Sequence, residues 1–258
     1  MNNQSLMLTT SRLDGKWFYR IGSISAFVLV IGYLLTFPIY AWVGDAPPSD
    51  VEAQLVYFAE HGEGWWAILG LMVFTDLLYI PVFMALYQAL QHINRNLMVL
   101  ACGMIGLFIV LDLSLTWTSY SSLIMSGSLY ASATSEAQRA ALVAGAGYPS
   151  TMLDSPLLGT YAILIPSLGF LFIGFVMREG DFNRAATYFA LTVGLTGIVF
   201  MGSYFWESLS VFRIINALLA TAWYIVVGWK LNRLSLDGNY STAHIDKSDL
   251  VEIANRMK

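Results

Sequence analysis

Residues 65–91 read WWAILGLMVFTDLLYIPVFMALYQALQ, an apolar stretch whose single charged residue is Asp76. A helix needs about 20 mainly apolar residues to cross a bilayer. This stretch therefore predicts a transmembrane helix. Further stretches of the same kind lie at 18–43, 97–124, 156–177, 185–206 and 209–230. The sequence predicts an all-α membrane protein with six transmembrane helices.

The composition of the chain agrees with this fold class. Of its 258 residues, 57% are hydrophobic and 12% are charged, whereas soluble domains have about 25% charged residues. A soluble domain with so few charges would expose large apolar patches. The predicted partner is therefore the lipid bilayer. No basic patch for nucleic acid is present.

The basic residues predict the orientation. Cytoplasmic loops of membrane proteins are enriched in Lys and Arg. With alternating spans, only Arg139 and Arg213 fall on the outer side, and eleven of the 13 Lys and Arg residues share the inner side: Arg12, Lys16, Arg20, Arg95, Arg178, Arg184, Lys230, Arg233, Lys247, Arg256 and Lys258. Both termini are therefore predicted to be cytoplasmic, with a segment 1–16, a bundle 17–230 and a tail 231–258.

Both outer loops are predicted to contain a short amphipathic helix. In the first loop, Ser49 and Glu52 have the spacing of a capping box, and Gly62 and Gly64 are expected to end the helix.

In the second loop, Ser135 and Gln138 have this spacing, and glycines with Pro149 are expected to end a helix over 136–145. A third amphipathic helix is predicted over 246–257 in the tail.

Polar side chains lie within the apolar stretches, mostly in the outer half. An ionisable residue at membrane depth is costly, by about 2.5–3.5 kcal/mol on insertion scales, and indicates a functional site. We expect one outward-facing cavity with Asp76 at its floor. The candidate ligand- or proton-site residues are Asp76, Tyr79, Asp112, Thr116, Tyr120, Glu207, Arg213 and Asn216.

These residues also have a structural interpretation. A protonated aspartic acid can hydrogen-bond to a neighbouring helix and hold the bundle together, and this applies to Asp76 and Asp112. Glu207 and Arg213 are close in sequence and are expected to form a structural ion pair near the outer interface. Both interpretations stay open at the level of sequence.

Motifs of familiar membrane enzymes are absent from the sequence. It has no Cys and His spacing typical of zinc, no Walker loop and no Gly-x-Ser-x-Gly elbow. No catalytic, metal-binding or cofactor-binding residue is therefore predicted, and the protein is not expected to be an enzyme.

Three stretches resemble a family of uncharacterised small six-helix bacterial membrane proteins. The resemblance covers most of the chain, roughly residues 20–230. It implies a six-span topology and the plasma membrane of a prokaryote, and it implies no binding residues. The stretches are Asp76, Tyr79, Pro81, Ala85, Leu86 and Tyr87; Tyr130 to Ala133 with Arg139 to Leu142; and a glycine-rich fourth span followed by a charged turn, Gly194 and Gly197.

Three functions compete on these grounds. The first is a non-enzymatic protein that binds or senses a small ligand from the outer side, or associates with another membrane protein. The second is a small transporter, or a proton- or ion-linked permease, that uses Asp76 and Asp112. The third is a membrane enzyme or carrier for a lipid-soluble substrate.

Overall fold

The computed structural model describes residues 3–44, 46–180 and 182–236. In this part of the chain, all regular structure is helical. Within it, five helical runs are long and apolar enough to cross a membrane: Lys16–Val43, Val51–Ser132, Pro156–Glu179, Arg184–Tyr204 and Glu207–Leu236. The chain is therefore an all-helical membrane protein, as its composition predicts. The helix predicted over 246–257 lies outside the described residues.

Helix α1 covers Asn3–Val43 and includes Pro38. It begins within the polar segment 1–16. Its end is set by Gly44, whose φ of +90° lies in the left-handed region. The Gly44 N–H donates to the Tyr40 carbonyl oxygen over 3.0 Å and closes the last turn. Glycine is the residue that adopts this conformation without a Cβ clash.

Helix α2 covers Val51–Leu111. Its N-cap is Asp50, whose Oδ2 accepts from the Ala53 N–H over 2.9 Å. The helix therefore starts where the sequence predicts a start, with Asp50 as the cap instead of Ser49. A short side-chain acceptor at this position satisfies an N–H that has no partner inside the helix.

The prediction that Gly62 and Gly64 end a short surface helix is wrong, since α2 continues through both. A Cβ on Gly64 would overlap the Val43 side chain. This glycine lets α1 approach α2 closely, and an interior glycine weakens a helix by only about 1 kcal/mol. Close packing here outweighs helix propensity.

Asn94 divides α2 into two arms. Its backbone, with φ of −149° and ψ of 92°, is not helical. Its Oδ1 accepts from the Leu97 N–H over 3.1 Å, which caps the second arm. The arms fold back on each other, because the Cys102 thiol on the second contacts the Phe83 carbonyl oxygen on the first, 3.6 Å away. Helix α2 is thus a helical hairpin.

Two segments of π-helix interrupt the helices that follow. The first, Asp112–Trp117, joins α2 to α3 (Thr118–Ser132). The second, Thr160–Leu164, joins the short α5 (Pro156–Gly159) to α6 (Ile165–Glu179), with α4 lying before it in the chain. Because π-helical turns are rare and frequent at functional sites, they direct attention to the residues they contain.

Helix α4 covers Glu136–Asp154. The Ser135 Oγ accepts from the Gln138 N–H over 3.2 Å, which confirms the predicted cap. The prediction that this helix ends at its glycines and Pro149 is wrong, since α4 runs on to Asp154. It continues because Pro149 and Ala146 are buried, so tertiary packing stabilises the later turns.

The last two long helices are α7 (Arg184–Met201) and α8 (Val211–Leu236). Two short 3₁₀ turns, Gly202–Tyr204 and Glu207–Ser210, connect them. Helix α8 runs beyond Lys230.

Neighbouring helices pack antiparallel. Gly22 of α1 lies against Ala85, and Gly64 lies against Val43 at the other end of the same pair. The bundle therefore has two ends. The Gly44 end comprises Gly44, residues 46–50, α4 and residues 202–210. The Asn94 end comprises Asn94, Gly180, residues 182–183 and the C-terminal part of α8.

The buried apolar residues form two clusters. The larger lies toward the Asn94 end and includes the fully buried Leu86, Trp223 and Tyr224. The smaller lies toward the Gly44 end and is built around Phe58 and Trp65. Many large apolar side chains stay exposed on the outside of the bundle, as lipid contact requires.

Candidate functional site

Asp76 and Asp112 meet between the two arms of the α2 hairpin. Each is 6% exposed, and their side chains are close enough for the two carboxyl groups to interact. We call them the carboxyl pair.

The first π-helical segment supplies the partners of the carboxyl pair. The Trp117 indole N–H donates to Asp76 Oδ2 over 2.7 Å. The Thr116 hydroxyl donates to Asp112 Oδ1 over 2.5 Å. The Tyr161 hydroxyl lies 3.0 Å from that of Thr116. Tyr161 must be the donor there, because the hydroxyl hydrogen of Thr116 is already used in its hydrogen bond to Asp112. The second π-helical segment is thereby bonded to the first.

Aromatic rings cover this network on the side of the Gly44 end. Tyr120 stacks on Trp65 with ring centroids 5.0 Å apart. It also stacks on Trp117 at 5.8 Å. Tyr120 therefore acts through ring packing beside the carboxyl pair.

Tyr79 pairs with a tyrosine of α1. The hydroxyls of Tyr33 and Tyr79 are hydrogen-bonded to each other. Both lie near enough to Asp76 to interact with its carboxyl group. We call Tyr33 and Tyr79 the tyrosine pair. It adjoins the carboxyl pair on one side and lines a cavity on the other.

This cavity, the lateral cavity, has a volume of about 370 Å³. It lies between α1, α2, α6, α7 and α8, and its walls are mainly apolar, with Phe37, Phe108, Phe170 and Phe200 among them. Asp76 and Asp112 are not among its lining residues. The lateral cavity is therefore not the cavity expected from the sequence, which had Asp76 at its floor.

The lateral cavity opens between α1 and α8. These helices touch toward the Asn94 end, where the Ser23 hydroxyl donates to the Gly228 carbonyl oxygen over 2.8 Å. Toward the Gly44 end the cavity separates them. Its rim includes Leu34 on α1, 57% exposed, and Leu218 on α8, 59% exposed. The opening therefore lies among side chains that face lipid.

Asn216 and Arg213 both line the lateral cavity. The Asn216 amide donates to the Val193 carbonyl oxygen over 2.7 Å and to the Thr196 hydroxyl over 2.9 Å. It thereby joins α8 to α7. Among the described residues that line the cavity, Arg213 is the only charged one.

The predicted ion pair between Glu207 and Arg213 is not formed. Among the described residues, an ion pair joins Arg139 to Glu136 at 3.9 Å, and none joins Glu207 to Arg213. Glu207 lies on a 3₁₀ turn before α8, whereas Arg213 lies within α8, so closeness in sequence does not bring the two side chains together. Arg213 also does not neutralise the carboxyl pair, whose partners are Trp117 and Thr116.

The structure thus divides the candidate residues into three groups. Asp76, Asp112 and Thr116 form one network, with Tyr120 packed beside it. Tyr79, Arg213 and Asn216 line the lateral cavity, and Glu207 belongs to neither. Sequence reasoning missed Tyr33 and Tyr161, since nothing in their own spans distinguishes them from other aromatic residues.

Comparisons with protein-family models, with curated proteins and with solved structures found no match. The fold and the site define a class, that of helical membrane proteins with an internal polar network beside a mainly apolar cavity. The resemblance to a six-helix bacterial family stays a prediction.

Proposed function

We propose that the protein is a non-enzymatic integral membrane protein that binds a small lipid-soluble ligand in the lateral cavity. The opening of this cavity between α1 and α8 supports the proposal most strongly. Its rim consists of exposed apolar side chains such as Leu34 and Leu218, so a ligand enters from the bilayer without crossing water. Its volume of about 370 Å³ lies within the range of small-molecule sites, about 300–1,000 Å³.

The proposal includes six crossings of the membrane. The helical run Val51–Ser132 has 82 residues, about 120 Å at 1.5 Å per residue. A hydrocarbon core is about 30 Å thick. The break at Asn94 and the contact of Cys102 with Phe83 support two crossings within this run. Together with one crossing by each of the other four helical runs, this makes six spans.

We further propose that the Asn94 end faces the cytoplasm, in the plasma membrane of a prokaryote. The described basic residues at that end include Lys16, Arg20, Arg95, Arg178, Arg184, Lys230 and Arg233, against Arg139 and Arg213 at the other. This asymmetry supports the orientation. The prokaryotic membrane rests on the resemblance given above.

For the carboxyl pair we propose a structural role. Asp76 accepts from Trp117, Asp112 accepts from Thr116, and each is 6% exposed. A fully hydrogen-bonded polar network in a buried place fixes the packing of helices. A transporter that uses these residues would need them open to a water-filled path, and this alternative has less support.

The proposal is tested by filling the lateral cavity. Ala217→Trp puts an indole on its α8 wall. Ala67→Trp is the matched control, because Ala67 is an exposed α2 residue outside the lining. We expect Ala217→Trp to abolish saturable binding of labelled methyl palmitate to the purified protein and Ala67→Trp to leave it unchanged. Equal binding by wild type and both variants would contradict the proposal.

A further inference from the structure

We propose that the ligand of the lateral cavity is a long-chain carboxylic acid whose carboxylate binds Arg213 and whose chain lies along α8. This inference rests on the proposed function and adds the chemistry and orientation of the ligand.

Arg213 supplies the charge that selects an anion. It is the only charged residue among the described lining residues, and no acidic side chain in the described part of the chain forms an ion pair with it. A guanidinium at the edge of a bilayer favours an anionic partner, and its planar fork fits a carboxylate with two hydrogen bonds. The first turn of α8, which contains Arg213, adds the positive end of a helix dipole.

The other donors that line the lateral cavity already have acceptors within the protein. The Thr36 hydroxyl donates to Gly32 O over 3.0 Å, and the Thr221 hydroxyl donates to Ala217 O over 2.8 Å.

The same holds deeper in the cavity. The Ser167 hydroxyl donates to Ile163 O over 2.6 Å, and the Asn216 amide donates to two acceptors on α7. The hydroxyls of Tyr33 and Tyr79 are hydrogen-bonded to each other. A hydrocarbon chain beside Thr36, Ser167, Asn216 and Thr221 leaves the donors of these four side chains paired. The walls therefore suit an apolar chain, and only the Arg213 end suits a polar head.

The shape of the lateral cavity fits one chain. On α8 it extends from Arg213 through Asn216 and Ala217 to Ala220 and Thr221, residues that share one helical face. This face is about 12 Å long.

The deep end of this path is formed by Tyr33, Tyr79 and Phe170. A volume of about 370 Å³ is near the lower limit for ligand sites, which favours a single chain over a two-chain phospholipid.

The experiment compares labelled palmitate with its methyl ester, which has the same chain and no charge. The full-length protein is held in discs of zwitterionic lipid, at a pH where palmitate is ionised. We expect the wild type to bind palmitate about tenfold or more tighter than the ester, since hydrogen bonds to charged groups are the strong ones.

Arg213→Gln is expected to remove this preference without loss of folding, because the Arg213 side chain is exposed. Arg213→Lys keeps the positive charge but not the planar fork, and is expected to retain only part of the preference. Arg139→Gln, which removes another exposed cation at the Gly44 end, is the control and should change nothing.

The outcomes separate this inference from the proposed function. If acid and ester bind equally and Ala217→Trp abolishes both, the cavity binds lipid-soluble molecules without selecting an acid, and the inference is wrong. The same holds if Arg213→Gln keeps the full preference. If Ala217→Trp affects neither ligand, the inference and the proposed function are both wrong.

Discussion

Trp117→Phe should destabilise the bundle, because it removes the indole N–H that bonds to Asp76 over 2.7 Å. Asp76 is 6% exposed, so the lost donor is not replaced by water. A buried acceptor left unpaired costs about 1–3 kcal/mol. Hydrogen bonds between helices in membranes are weaker, about 0.6 kcal/mol on average and 1.7 at most. We therefore expect a loss of about 1–2 kcal/mol in the free energy of unfolding.

The loss is measured by unfolding in mixed micelles with increasing SDS. The matched control is Trp66→Phe, on the first arm of α2, where Trp66 is an exposed side chain. Trp66→Phe loses the same indole atoms but no hydrogen bond to Asp76, so it should lower the free energy of unfolding by less than Trp117→Phe does. Asp76→Asn is the second control, since its amide oxygen still accepts from Trp117 and folding should be retained. Equal stabilities of the two Trp→Phe variants would refute the structural role of the carboxyl pair.

Three further variants test the fold by the same unfolding measurement. Asn216→Leu removes both hydrogen bonds from Asn216 to α7 and should lower the free energy of unfolding by about 1 kcal/mol. An unchanged unfolding midpoint would show that these bonds do not stabilise the packing of α8 on α7. Asn94→Ala removes the cap on the Leu97 N–H and should also cost about 1 kcal/mol; an unchanged free energy of unfolding would show that this cap does not stabilise the second arm of α2. Gly44→Ala places a Cβ at φ +90° and should cost about 1–2 kcal/mol; a neutral result would mean that α1 does not end there.

The fold class follows from the sequence because apolar length and charge placement are local properties. The same reasoning failed at Gly64 and Pro149. Both residues break isolated helices, and in this bundle each one packs against a neighbour. Local propensity cannot register that contact.

The site was predicted in part for a similar reason. Asp76 and Asp112 are conspicuous because charge is costly in a membrane. Their partners depend on how helices rotate against each other, which the sequence does not give. The lateral cavity results from the separation of α1 and α8 toward the Gly44 end, and among the residues singled out from the sequence only Tyr79, Arg213 and Asn216 line it.

The most direct test of the lateral cavity uses a photoreactive amino acid at two positions. Leu218 and Leu195 are almost equally exposed, at 59% and 57%, and only Leu218 lines the cavity. A benzophenone side chain is introduced at 218 or at 195, and crosslinking to labelled methyl palmitate is measured with and without Ala217→Trp. The account predicts saturable crosslinking at 218 that Ala217→Trp abolishes, and only weak, non-saturable crosslinking at 195. Equal crosslinking at both positions, unaffected by Ala217→Trp, would contradict it.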